Sequence, residues 1–101
     1  MSKSILQSRR ECYICREMDN VKTERCLERH HVFGGPLRPI SEQYGLTVYL
    51  CRRHHREQNG YSVHFHAPLR KWLQFRAFAA LSQQEGEERA QEILGKDYAD
   101  R

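Results

Sequence analysis

Four cysteines and six histidines are the residues of this 101-residue sequence whose types and spacing can do chemistry. Cys12-x-x-Cys15 has the spacing of a zinc knuckle, in which a tight turn brings two thiolates onto one ion. Cys51-x-x-His54 is a second ligand pair. Together they offer three thiolates and one imidazole, enough for a tetrahedral structural zinc. Such a site carries a charge of about −1, which the neighbouring Arg52 and Arg53 can offset. Its binding energy, on the order of 10 kcal/mol, could hold together a core this small. Cys26 has no pair and is expected to pack as a small apolar side chain.

That assignment leaves His30, His31, His55, His64 and His66 over, and a structural zinc needs none of them. His30 and His31 are adjacent in "CLERHHVFGG", which reads as a strand, so they point to opposite faces. His55 follows His54 on the next element and faces away from the zinc. One member of the pair then points toward His55 and the other to the opposite side. Metal-assisted hydrolysis asks for this arrangement: a divalent ion on one side and a general base beside it. The plainer reading is a polar strand edge with one ring buried against a carbonyl.

These groups need elements to hold them. Residues 26–33 look extended and are broken by Gly34-Gly35-Pro36; residues 46–51, "LTVYLC", form a second strand bounded by Gly45. Between them "GGPLRPISEQYG" reads as a loop. A short helix is expected over residues 52–58. Pro68 suits the first turn of a helix over residues 68–81, with Leu69, Trp72, Leu73, Ala77, Ala80 and Leu81 at helical spacing. Ser82-Gln83-Gln84-Glu85 reads as a capping box that opens a second helix over residues 82–95, closed by Gly95. The expectation is one α+β domain over residues 1–101, with its core within about 10–66.

Charge is uneven. Residues 1–81 hold 14 Lys+Arg against 7 Asp+Glu, and residues 82–101 hold 3 against 6. A basic body with an acidic end suits a polyanionic partner, nucleic acid first. No run of about 18 apolar residues occurs, so no membrane span is expected. With no apolar leader after Met1, a cytoplasmic setting is expected, where thiols take up metals rather than form disulfides.

Cys-x-x-Cys, then His-His at a strand end, then Leu-Cys-x-x-His-His resembles an HNH endonuclease. The likeness is to small phage-type zinc-containing members with "HHVFGG", "YGLTVYLC", "HH" and "GYSVHF" in this order, over about residues 12–66. The resemblance implies a zinc-stabilised ββα-metal core and hydrolysis of DNA phosphodiesters with weak sequence preference. It makes His31 the general base, with His30 and His55 as ligands of a catalytic divalent ion, Mg²⁺ or Mn²⁺ in cells. For the third ligand, one-turn spacing from His55 selects Asn59, whereas the phage-type pattern favours His64. Arg29, Arg38, Arg52, Arg53 and Arg56 are the candidates for holding the DNA backbone. Where the family has an asparagine that pins the loop bearing the base, this chain has Gly45-Leu46. The competing expectation is a non-catalytic zinc module that binds DNA or a protein partner.

Overall fold

β1 (Leu27–His31) and β2 (Thr47–Cys51) pair antiparallel in a computed structural model that describes residues 3–58 and 60–99. The register sets His30 opposite Val48 and His31 opposite Thr47. Alternation then sends the two histidines to opposite faces. His30, Val48 and Leu50 point into the core and are buried. Arg29, His31 and Tyr49 share the other face, half-buried.

Residues 3–10 cross that second face. Ser4 Oγ donates to the Thr47 carbonyl at 2.5 Å, and the Tyr49 N–H donates to Gln7 Oε1 at 2.7 Å. These side chains satisfy backbone groups that β2 would otherwise leave open at its edge. The Ile5 N–H reaches the Gly45 carbonyl at 2.9 Å. Gly45 has φ 71, and a Cβ there would run into the Lys3 carbonyl. Gly45→Ala is therefore expected to cost about 1–3 kcal/mol. The measurement is a urea melt, with a lower midpoint at unchanged slope.

Around this ribbon lie five helices among the described residues. The knuckle at Cys12 proves to be the start of a helix, α1 (Tyr13–Asp19), whose first turn Cys12 caps by accepting the Cys15 N–H. Cys26 occupies a left-handed turn into β1 (φ 54) and is exposed, not packed as expected. The stretch expected as a loop instead folds as a 3-10 turn, Gly35–Leu37, and α2 (Arg38–Tyr44). Its two prolines stand in first turns, where a missing N–H costs no hydrogen bond.

α3 (Arg52–His55) is one turn, shorter than the helix expected over residues 52–58. The chain doubles back, and the N–H groups of Val63 and His64 take the His54 and His55 carbonyls at 2.8 and 3.3 Å. Those carbonyls are then lost to a longer helix. α4 (Ala67–Glu85) runs past Ser82, so the capping-box reading fails. The Gly86 N–H still reaches the Ser82 carbonyl at 2.8 Å, and the break comes at Gly86, whose φ is 89. α5 (Glu87–Leu94) follows and ends on Gly95 at φ 74.

α4 buries Leu69, Leu73, Ala77, Phe78 and Leu81, and α5 buries Ala90 and Leu94, in one cluster with Ile14, Phe33, Val48 and Leu50. Tyr98 beyond α5 meets the Phe33 ring edge-on, with centroids 4.7 Å apart. The C-terminal helices thus brace the hairpin that carries the histidines. No helix among the described residues is long and apolar enough to cross a membrane.

Candidate metal centres and histidine cleft

Cys51 ends β2 and caps α3, and His54 lies one turn on, so both face α1 and its Cys12 and Cys15. The four ligand atoms lie within 4.8 Å of one another and all four residues are buried. His54 Nδ1 is 3.6 Å from Cys12 Sγ and 3.4 Å from both Cys15 Sγ and Cys51 Sγ. Cys15 Sγ and Cys51 Sγ are 3.9 Å apart, far beyond a disulfide bond. A regular tetrahedron with zinc–sulfur bonds of about 2.3 Å and a zinc–nitrogen bond of about 2.1 Å has S···N edges of about 3.6 Å and S···S edges of about 3.8 Å. The group can hold a structural Zn²⁺ with little rearrangement. Its electrostatics also fit: burial pushes the Cys12 thiol up to about 12 and holds His54 below the usual histidine range. A neutral imidazole is ready to ligate, and a cation among the thiols reverses the effect of burial on them.

One residue further along α3, His55 turns toward β1. His30, His55 and His64 form a second group, with ligand atoms again within 4.8 Å of one another. His64 arrives on the returning segment that pairs with α3, and its Nε2 stands 3.1 Å from His55 Nε2. His55 Nδ1 is 2.9 Å from Glu28 Oε1, and Arg56 holds the same carboxylate at 2.8 Å. With Glu28 ionised, the His55 Nδ1–H donates to it, and Nε2 is the ring atom that meets His64. Arg56 first and His55 second hold the Glu28 carboxyl below its usual range. Burial, helped by the neighbouring histidines, lowers His30 to about 3 and lowers His64 as well. Both are therefore neutral near pH 7. Three imidazoles converging in this way can hold a metal ion. Asn59, the other candidate for the third place, lies outside the described residues.

His31 has a parallel set of supports. Its Nε2 is 2.5 Å from Glu42 Oε1, and Arg29 grips Glu42 with two bonds of 2.8 and 3.3 Å. The hydrogen bond from His31, then Arg29, brings the Glu42 carboxyl down to about 2. An anionic Glu42 accepts a hydrogen bond from the Nε2–H of His31. The loop beyond His31 is pinned by the buried Ser41. Its hydroxyl donates to the Phe33 carbonyl at 2.8 Å and accepts the Phe33 N–H at 3.1 Å. The Val32 N–H adds a bond to the Leu46 carbonyl at 3.0 Å. At Gly45-Leu46, where the asparagine was missed, there is a left-handed turn and a buried leucine. Ser41, four residues upstream, makes the contacts to the loop.

Although they leave opposite faces of β1, His30 and His31 border one cleft of about 460 Å³, together with His55 and His64. Arg29 and Arg38 line it, as does Arg70, which the sequence reading passed over. Arg52, Arg53 and Arg56 are not among its lining residues; Arg53 lies over the Tyr61 ring and Arg56 over Glu28. His66 stands half-buried before α4. Glu28, Glu42 and Ser41 were also missed, since only the fold brings them to the histidines. Comparison of the chain with protein-family models, curated proteins and solved structures finds no match.

Proposed function

We propose that this protein is a metal-dependent endonuclease of the HNH type, hydrolysing DNA phosphodiester bonds with His31 as general base. One observation carries the reading: three convergent imidazoles and a fourth, separately oriented by a carboxylate, border the same cleft. The chain order β1, β2, α3, with histidines at the first strand's end and on the helix, supports a ββα-metal core. Cys12, Cys15, Cys51 and His54 would hold the structural zinc, and His30, His55 and His64 the second ion. When bound, that ion supplies charge stabilisation to the pentacovalent phosphorus and the leaving oxygen.

His31 takes the proton of the attacking water at Nδ1 while Glu42 holds Nε2–H and offsets the imidazolium charge. Arg38 and Arg70 flank the cleft as contacts for the substrate's phosphates, in place of Arg52, Arg53 and Arg56. A ligand set of three imidazoles without a carboxylate suits Mn²⁺, Zn²⁺ or Ni²⁺ better than Mg²⁺, which prefers oxygen.

The test is nicking of supercoiled plasmid with Mg²⁺, Mn²⁺, Zn²⁺ or Ni²⁺ and with EDTA, with metal counted per chain in the same samples. Metal-dependent nicking and a second, exchangeable ion are expected. One tightly held zinc and no cleavage with any ion would remove the nuclease in favour of the binding module. That module has one observation of its own, the exposed Met18 and Tyr61 beside His54. Within the nuclease reading, Glu42→Gln is expected to lower the nicking rate by about 10- to 100-fold, with zinc content unchanged. A rate equal to wild type would show that Glu42 does not orient the base.

A further inference from the structure

The face of the hairpin crossed by residues 3–10 holds a feature that the cleavage chemistry does not use. Between that segment and the ribbon runs a groove of about 530 Å³. Lys3, Arg9, Arg10 and Arg29 line it, with Thr47 and Tyr49 from β2, and no carboxylate is among its lining residues. Lys3, Arg9 and Arg10 are exposed and take part in none of the ion pairs among the described residues. The Arg10 guanidinium lies 5.1 Å from the centre of the Tyr49 ring, so a cation and an aromatic surface stand together.

The groove is built, not incidental. Its N-terminal wall is fastened at Ser4, Ile5 and Gln7, and Gly45 is bare where Lys3 crosses it. Arg29 borders both this groove and the histidine cleft. Its guanidinium is engaged by Glu42, so it marks the junction while the open charge belongs to the other three. A cationic channel with an aromatic wall, leading to a site proposed to cut phosphodiesters, matches the repeat of charge along a sugar–phosphate backbone.

We propose that this groove binds the sugar–phosphate backbone of the substrate nucleic acid, with Lys3, Arg9 and Arg10 on its phosphates, and leads it to the histidine cleft. The inference rests on the nuclease reading for its direction, but binding can be measured with cleavage switched off.

The experiment is fluorescence anisotropy of labelled DNA oligonucleotides, single-stranded and duplex, in EDTA too weak to strip the structural zinc, across a range of NaCl. The proteins are wild type, Lys3→Gln/Arg9→Gln/Arg10→Gln, and Lys22→Gln/Lys71→Gln/Lys96→Gln, which removes the same charge from outside the groove. The groove variant should bind about 10-fold or more weakly near 0.1 M salt. Its slope of log K against log salt should fall by about 2.7 for duplex or about 2.1 for a single strand, and the strand form with the larger loss is the one seated. The control variant should lose much less. Equal loss in both variants would mean diffuse attraction and would overturn the proposal, as would a wild type that binds neither DNA. Groove-dependent binding by a protein that nicks nothing in any metal would uphold the groove and remove the nuclease.

Discussion

Cys51→Ser is expected to leave a chain that neither holds zinc nor folds. Cys51 ends β2, caps α3 and stands within 3.4 Å of His54 and 3.9 Å of Cys15 at their ligand atoms. The same ion would join α1, β2 and α3, three elements that meet at this corner. A structural zinc contributes on the order of 10–16 kcal/mol of apparent binding energy. A domain of this size has a total stability of about 5–15 kcal/mol. Removing one thiolate therefore erases most of the margin. If the group were only buried thiols, the same exchange would cost about 1–3 kcal/mol, the usual range for one poorly placed polar atom. Far-UV circular dichroism with zinc counting separates the two. Loss of the folded spectrum together with the metal supports the zinc site, and treatment of wild type with a strong chelator should reproduce it. A folded, metal-free Cys51→Ser protein with a slightly lowered melt would sink it.

His31→Ala should abolish plasmid nicking while leaving the protein folded and zinc-bearing. A positioned general base contributes about 10²- to 10⁴-fold, or roughly 3–5.5 kcal/mol of barrier. Folding is spared for a structural reason. The His31 side chain lies on the outer face of β1, and removing it leaves Glu42 still gripped by Arg29, so no charge is stranded. His30→Ala gives a contrasting loss, because His30 is buried among the second group of imidazoles. It should reduce the count of exchangeable metal as well as the rate, whereas His31→Ala should reduce the rate alone. Nicking by His31→Ala at the wild-type rate would dismiss His31 as the base. Equal metal loss in both variants would instead place His31 among the ligands.

Several parts of this protein were legible along the chain because local rules determine them. Cys-x-x-Cys and Cys-x-x-His are spacings that one turn of backbone turns into ligand pairs, and α1 and α3 do so. Adjacent histidines on a strand must diverge, so the separation of His30 from His31 followed from the strand alone. The start of α4 followed from Pro68, and the end of α5 from Gly95.

What failed or was missing depends on contacts between distant residues. α3 is cut short because Val63 and His64 come back to take its carbonyls, and the same return brings His64 to His55. α4 is the exception, since it passes through Ser82 on a local backbone ladder in which the Gly86 N–H reaches the Ser82 carbonyl. Glu42 and Ser41 sat in a stretch that looks like a loop until α2 forms against the ribbon. The groove of Lys3, Arg9 and Arg10 exists only because residues 3–10 cross β2. Local spacing names the groups that can ligate; which carboxylate orients which imidazole is decided by packing, since those partners are 11 residues apart for His31 and 27 for His55.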